Sequence, residues 1–361
     1  MLDSMYSEAL RKRDSINKII DEYFDEGEID IESKWKNENI TPSDEDITIA
    51  AGDGSFNKKK YLGFNFYAVS AESLIYNPNN SKLDTIETVE VDVLTHQKFI
   101  DDRLRNMMSI FEIKTALKAL KEYEIDYYMD DGSILGDLIR PIPIENEIPP
   151  KEQSKIMKII YDKLKREVET NELEISSSKF QKRFGSLFEG KTNTEKYSLL
   201  TFLESIENLI GLKQLLNNKK KIIAISKTST SNDIFHANIP DMAILDKFTK
   251  GEGYSKIVYK KIDSQVKHDF PVSNTFFKDQ WFTIFFARLE KNKNIIKIEL
   301  PYHAREEQIK EILSIIKANS TEGYPFLLKR AHNDVVIKHN DINSLSQIIE
   351  FLDKSGREML D

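Results

Sequence analysis

The chain has 361 residues, 40% apolar and 10% aromatic, which suffices for a large domain with a sizeable core and argues against wholesale disorder or a fibrous fold. It contains no cysteine, which excludes disulfides, a thiolate nucleophile, thiolate-bound zinc and iron–sulfur clusters and leaves oxygen and imidazole chemistry. The net charge of −8 is uneven: residues 1–56 carry 6 Lys/Arg against 15 Asp/Glu, so the rest holds 46 against 45 and does not exclude a nucleic-acid partner.

Residues 1–46 read as an acidic N-terminal arm, helical at first, where Leu10, Ile16, Ile19, Ile20 and Tyr23 recur at helical spacing. No apolar run reaches the ~20 residues of a membrane span and residues 1–20 are charged throughout, which reads as a soluble intracellular protein. From Ile47 the texture becomes that of a short strand, Ile-Thr-Ile-Ala-Ala-Gly, ending in Asp53-Gly54-Ser55. Runs at 61–70 and 85–94 predict two more strands and hence an antiparallel meander. Residues 98–122 have a 3.6-residue period, with Phe99, Leu104, Met107, Met108, Phe111, Leu117 and Leu120 on one side of a six-turn helix. A fourth strand at 125–129 follows and ends in Asp130-Asp131-Gly132-Ser133; the intervening helix implies parallel pairing with an earlier strand.

Prolines 141, 143, 149 and 150 mark an extended loop, and helices near 151–170 and 194–217 suggest a helical insertion at 142–217. Strand texture returns at 221–226, just before Lys227. Residues 281–289 and 295–300 read as a hairpin, and helices near 303–318 and 341–353 close the chain. The expected fold is therefore α/β, a mixed sheet flanked by helices over residues 47–361.

Asp-Gly-Ser occurs twice, at 53–55 and 131–133, each time after an apolar strand. A carboxylate at the end of a strand in an open α/β sheet sits where ligands bind, and the adjacent glycine admits a close backbone approach. Glu112 is the single charged member of the line Leu104, Met108, Glu112, Ala116, Leu120, so it either reaches solvent at the edge or points at the same site. Three converging carboxylates repel unless divalent cations neutralise them, and hard oxygen ligands select Mg²⁺ or Mn²⁺. Two such ions would serve an in-line phosphoryl displacement.

These residues resemble the NurA nucleases, which have an RNase H-like core. The resemblance is carried by Ala51-Gly52-Asp53-Gly54-Ser55, Glu112, Met129-Asp130-Asp131-Gly132-Ser133 and Ile225-Ser226-Lys227, then by the segments at 240–245 and 251–255 and from Gly323-Tyr324-Pro325 to Ala331-His332. It implies that Asp53, Glu112, Asp131 and Asp241 ligate metal, with His332 as a further ligand or acid–base group and Lys227 at the scissile phosphate. Asp131 is preferred to Asp130 because it holds the place of Asp53 in the repeated tripeptide. The resemblance further implies a Mn²⁺-preferring deoxyribonuclease, with 5′-to-3′ exonuclease and single-strand endonuclease activity on DNA in end resection. It adds a homodimer, a HerA-like hexameric ATPase as partner and a cytoplasmic, nucleoid-associated location.

Two other readings stand beside it. Asp53-Gly54-Ser55 with Lys58–Lys60 and Gly63 also suits the phosphate loop of actin-like or sugar-kinase-like ATPases, although the second tripeptide follows too soon for their duplicated subdomains. Alternatively the chain is a non-catalytic adaptor whose carboxylates are turn residues. The Trp281, Phe282, Phe285, Phe286 cluster reads as strand core rather than a base-stacking platform.

Overall fold

The computed structural model describes all residues except 1, 25–28, 80, 96–97, 142–147, 171–172, 184 and 351–361. The start of the expected insertion and the end of the last expected helix lie outside the described residues.

A long helix, α1 (Asp3–Tyr23), buries none of its residues. β1 (Trp35–Asn37) follows, and then three long strands, β2 (Ile49–Lys60), β3 (Asn65–Asn77) and β4 (Lys82–Leu94), form the expected meander. α2 (Ile100–Glu122) crosses over to β5 (Tyr127–Asp131), which pairs parallel to β2 with Ala51 opposite Met129 and Gly52 opposite Asp130. α3 (Ile134–Ile139), α4 (Pro150–Glu169), α5 (Ser176–Arg183) and α6 (Asn193–Asn217) lead to β6 (Ile222–Ser226), parallel to β5. The order β4-β3-β2-β5-β6, with β3 reversed, is an RNase H-like core.

The sheet then continues. α7 (Asp241–Phe248), β7 (Gly253–Ser255), β8 (Val258–Lys261), α8 (Ile262–Gln265) and α9 (Asn274–Lys278) precede the predicted hairpin of β9 (Trp281–Arg288) and β10 (Ile296–Leu300). β10 pairs antiparallel to β6, extending the sheet to ten strands. α10 (Glu306–Ala318), the small hairpin β11 (Ser320–Thr321) and β12 (Tyr324–Pro325), α11 (Phe326–Val335) and α12 (His339–Ile348) complete the described chain.

Two apolar layers hold the sheet. On one face Ala50, Tyr128, Ile222 and Ala224 pack with Ile113, Ala116 and Leu117 of α2 and with Leu203, Ile206 and Ile210 of α6. On the other, Ile49, Ala51, Met129, Ile223 and Ile225 pack against Ile309, Ile312 and Ile316 of α10 and Leu328 and Ala331 of α11. A strand presents alternate side chains to opposite faces, so both layers can be read straight from the alternation.

Three sequence-based boundaries shift. β1 pairs with β7, and Trp35 and Ile40 are buried, so residues from 35 onward belong to the body rather than to a free arm. α6 is the crossover helix that two parallel strands require, and it is buried against α2 through Phe202, Leu203 and Ile206. It is integral to the core and not inserted into it. Finally, α11 is a helix that the sequence reading did not predict, and it carries His332.

Candidate metal centre and active site

β2 runs on to Lys60, so Asp53-Gly54-Ser55 lies inside a strand and is not a turn. The second tripeptide is a strand end: Ser133 is the N-cap of α3, accepting from the Gly136 N–H at 2.9 Å. Ser133 donates to Glu299 at 2.6 Å, Glu299 accepts the Leu135 N–H at 3.2 Å, and the Ser226 hydroxyl donates to the Gly132 carbonyl at 2.6 Å. These bonds hold β5, α3 and β10 as one unit under the acidic residues.

Alternation assigns the faces. Ala51 and Met129 point toward α10 and α11, and Asp53 and Asp131, two residues on, point the same way. His332 on α11 meets them, its Nδ1 2.7 Å from Asp53 Oδ2, while Asp53 Oδ1 accepts the Gly54 N–H at 2.8 Å. Lys227 Nζ lies 2.6 Å from Asp131 Oδ2. Tyr324 donates to Asp131 Oδ1 at 3.4 Å. The turn Glu322-Gly323, with both residues at positive φ (57° and 77°), places Tyr324 directly ahead of α11.

Gly52, Gly54 and Asp130 face α2. The absent side chain at Gly54 admits Glu112: a Cβ there would stand 2.7 Å from Glu112 Oε1. Burial and the surrounding carboxylates, Asp130 first and then Asp53, push the Glu112 carboxyl well above its ordinary range. Asp53 is pushed up to about 6 by burial and then by Asp131, although its bonds to His332 and Gly54 oppose the shift. Asp130 is pushed up to about 8 by burial and then by Asp137 and Asp131. The carboxylates thus meet around the middle of β2 and the end of β5, from both faces of the sheet.

Asp53, Asp131 and His332 each offer one ligand atom, all within 4.8 Å of one another. Two hard carboxylates and an imidazole fit a divalent ion such as Mn²⁺ or Mg²⁺. The structure therefore brings together Asp53, Glu112, Asp131, Lys227 and His332. It does not bring in Asp241: this residue is buried at the start of α7, and its two oxygens accept the Ile234 and Phe235 N–H groups at 3.0 and 3.1 Å. Asp241 pins a turn. Conversely, Asp130 and Tyr324 belong to the site without having been singled out as site residues. The doubled aspartate before Gly132 and the Gly-Tyr-Pro segment were the available signals.

Comparison with known proteins gives the family. The NurA domain model matches residues 47–337. The chain is 30% identical, over 99% of its length and 92% of the relative's, to a Methanocaldococcus jannaschii protein named probable DNA double-strand break repair nuclease NurA. It is 26% identical to the Saccharolobus solfataricus DNA double-strand break repair nuclease NurA over 83% of this chain and 79% of that protein. The crystal structure of the NurA nuclease from Sulfolobus solfataricus superimposes with a TM-score of 0.73 at 21% identity, covering 97% of both chains. A NurA crystallised with manganese gives a TM-score of 0.69 at 19% identity, covering 95% of this chain and 99% of that one. The ATPase and adaptor readings give way to this match, and the chain belongs to the NurA family of nucleases.

Proposed function

We propose that the chain is a divalent-metal-dependent DNA nuclease that hydrolyses phosphodiesters at the Asp53, Asp131, His332 centre. The observation that carries this reading is the convergence of three ligand atoms within 4.8 Å beside Glu112 and Asp130. Asp53, Asp131 and His332, with Glu112 beside them, would hold Mn²⁺ or Mg²⁺, as two ions, and the metal would supply Lewis acidity toward the phosphoryl group and lower the pKa of water.

The protein groups do the rest. Gly54 N–H and His332 fix the Asp53 carboxylate in one orientation, and Tyr324 and Lys227 do the same for Asp131. Lys227, partly exposed beside these acids, offsets the repulsion that an arriving phosphate would meet. Family membership supports the finer reading: 5′-to-3′ exonuclease and single-strand endonuclease activity in end resection, by a homodimer working with a HerA-like hexameric translocase at the nucleoid. No helix among the described residues is long and apolar enough to cross a membrane.

The test is cleavage of end-labelled linear and single-stranded DNA with Mn²⁺, Mg²⁺ or EDTA, alongside the Asp53→Asn variant. Metal-dependent degradation, reduced at least 1,000-fold in the variant with its circular dichroism unchanged, is expected. Equal cleavage by the two proteins would remove the proposed centre.

A further inference from the structure

The aromatic residues at 281–286 divide into two roles. Phe282, Phe285 and Phe286 are buried, whereas Trp281, 41% exposed, stands at the start of β9. Its ring meets His303 edge-on at 5.9 Å, and His303 stacks flat on Tyr259, with centroids 4.0 Å and planes 2° apart. Tyr259 is 39% exposed and His303 is exposed as well. The cluster is held in place: Tyr259 donates to the Ala304 carbonyl at 3.0 Å, and the buried Thr283 hydroxyl donates to the Tyr302 carbonyl and accepts the Ala304 N–H.

Lysines surround these rings. Lys219 donates to Gln280, immediately before Trp281, at 3.0 Å. Lys220 lies 3.9 Å over the Tyr302 ring and, among the described residues, makes no ion pair. Lys261 stands opposite Trp281 in register and is paired with Asp279 at 3.0 Å; Glu306, beyond Tyr259, is paired with Lys36. The patch is also remote from the carboxylates. β6 begins beside Lys221 and ends at Ser226, next to Lys227, a path of about 16 Å at the usual rise per residue.

Solvent-facing flat rings near lysines that make no ion pair among the described residues are the two components of a groove for unpaired nucleotides: bases stack on the rings and phosphates meet the lysines. A duplex cannot use the rings, because its base faces are already stacked. We propose that Trp281, Tyr259 and His303, with Lys219 and Lys220, form a second binding surface for single-stranded DNA, separate from the cleavage centre and indifferent to base sequence. The proposal rests on the chain acting on DNA.

The chain has two tryptophans, and the other, Trp35, is 6% exposed, so quenching of the emission by a bound base reports on Trp281. Oligo(dT) titrated in EDTA onto the full-length Asp53→Asn protein should quench the emission, and Trp281→Phe should remove most of that signal. Tyr259→Ala with Trp281→Ala should weaken oligo(dT) binding roughly tenfold or more. Lys219→Gln with Lys220→Gln should lower the salt slope of log affinity by about 1.4. Mn²⁺-dependent hydrolysis of bis(p-nitrophenyl) phosphate, too small to span both sites, should be unchanged by the Tyr259 and Trp281 substitutions. Absence of quenching would overturn the proposal, as would an aromatic variant that binds oligo(dT) normally but changes its oligomeric state, because the rings would then face another copy. Failure of the wild-type protein to hydrolyse any phosphodiester would instead count against the cleavage centre.

Discussion

At Gly54 a single missing carbon decides where Glu112 goes. A Cβ there would lie 2.7–2.9 Å from the Glu112 Oε1, Cγ and Cδ atoms, so the carboxylate would have to move away from β2. Gly54→Ala should therefore cut metal-dependent cleavage about 100-fold while changing stability little, since displacement by an ångström is enough to break catalytic geometry; parallel rate and thermal-melt measurements check this. Glu112 itself was legible in the sequence as the lone charge in an apolar i, i+4 line, because that line must face the core. The carboxylates that crowd Glu112 were not legible, since Asp130 and Asp53 reach it from other strands. Asp241 shows the converse. An aspartate after a proline in a family segment suggested a ligand, but the carboxylate is spent on two backbone N–H groups, an engagement that only the local fold creates.

At the scale of elements, α2 and α6 are locked by two buried ion pairs that a helical reading of either segment alone would not reveal. Arg103 meets Glu204 at 2.6 Å, and Lys114 meets Glu207 at 2.7 Å with both side chains essentially inaccessible. Glu207 also accepts the Ser176 and Ser177 N–H groups at the start of α5. Lys114→Met should cost about 3–5 kcal/mol, because it leaves Glu207 buried without its cation; chemical denaturation monitored by circular dichroism measures this. Helices α2, α4 and α6 were legible because their apolar periodicities are long, and strands β2 to β6 because of their runs of β-branched, aromatic and other apolar residues. The ten-residue α11 was not. Its buried stripe of Leu327, Leu328, Ala331 and Val335 is short, and its place is set by the β11–β12 turn, by the Ile337 N–H donating to the Ser55 hydroxyl and by the Ser70 hydroxyl donating to the Val335 carbonyl.

For the whole molecule, the carboxylates link folding, pH and metal. In the metal-free protein burial raises Asp53 to about 6 and Asp130 to about 8, so the folded state holds protons that the unfolded chain releases near the ordinary carboxylate range. Stability from these two groups is therefore complete below about pH 4 and is lost as pH rises through 6 to 8. The melting temperature in EDTA should fall by a few degrees between pH 5 and 8. Mn²⁺ requires the ionised carboxylates, so its stabilising increment should be larger at pH 8 than at pH 5 and should vanish in Asp53→Asn. Differential scanning calorimetry at both pH values, with and without Mn²⁺, tests both signs.

The sequence by itself determined the α/β class, the meander and the crossover to a parallel strand. Those features follow from side-chain periodicity and from the rule that parallel strands need a connecting helix, both of which act along the chain. Tertiary structure alone decided that the first tripeptide lies within a strand, that Asp53 and Asp131 face α11 while Asp130 faces α2, that Tyr324 and His332 close over them, and that Trp281 opens to solvent. These depend on register and on contacts between residues as far apart as Asp53 and His332, which no local pattern encodes.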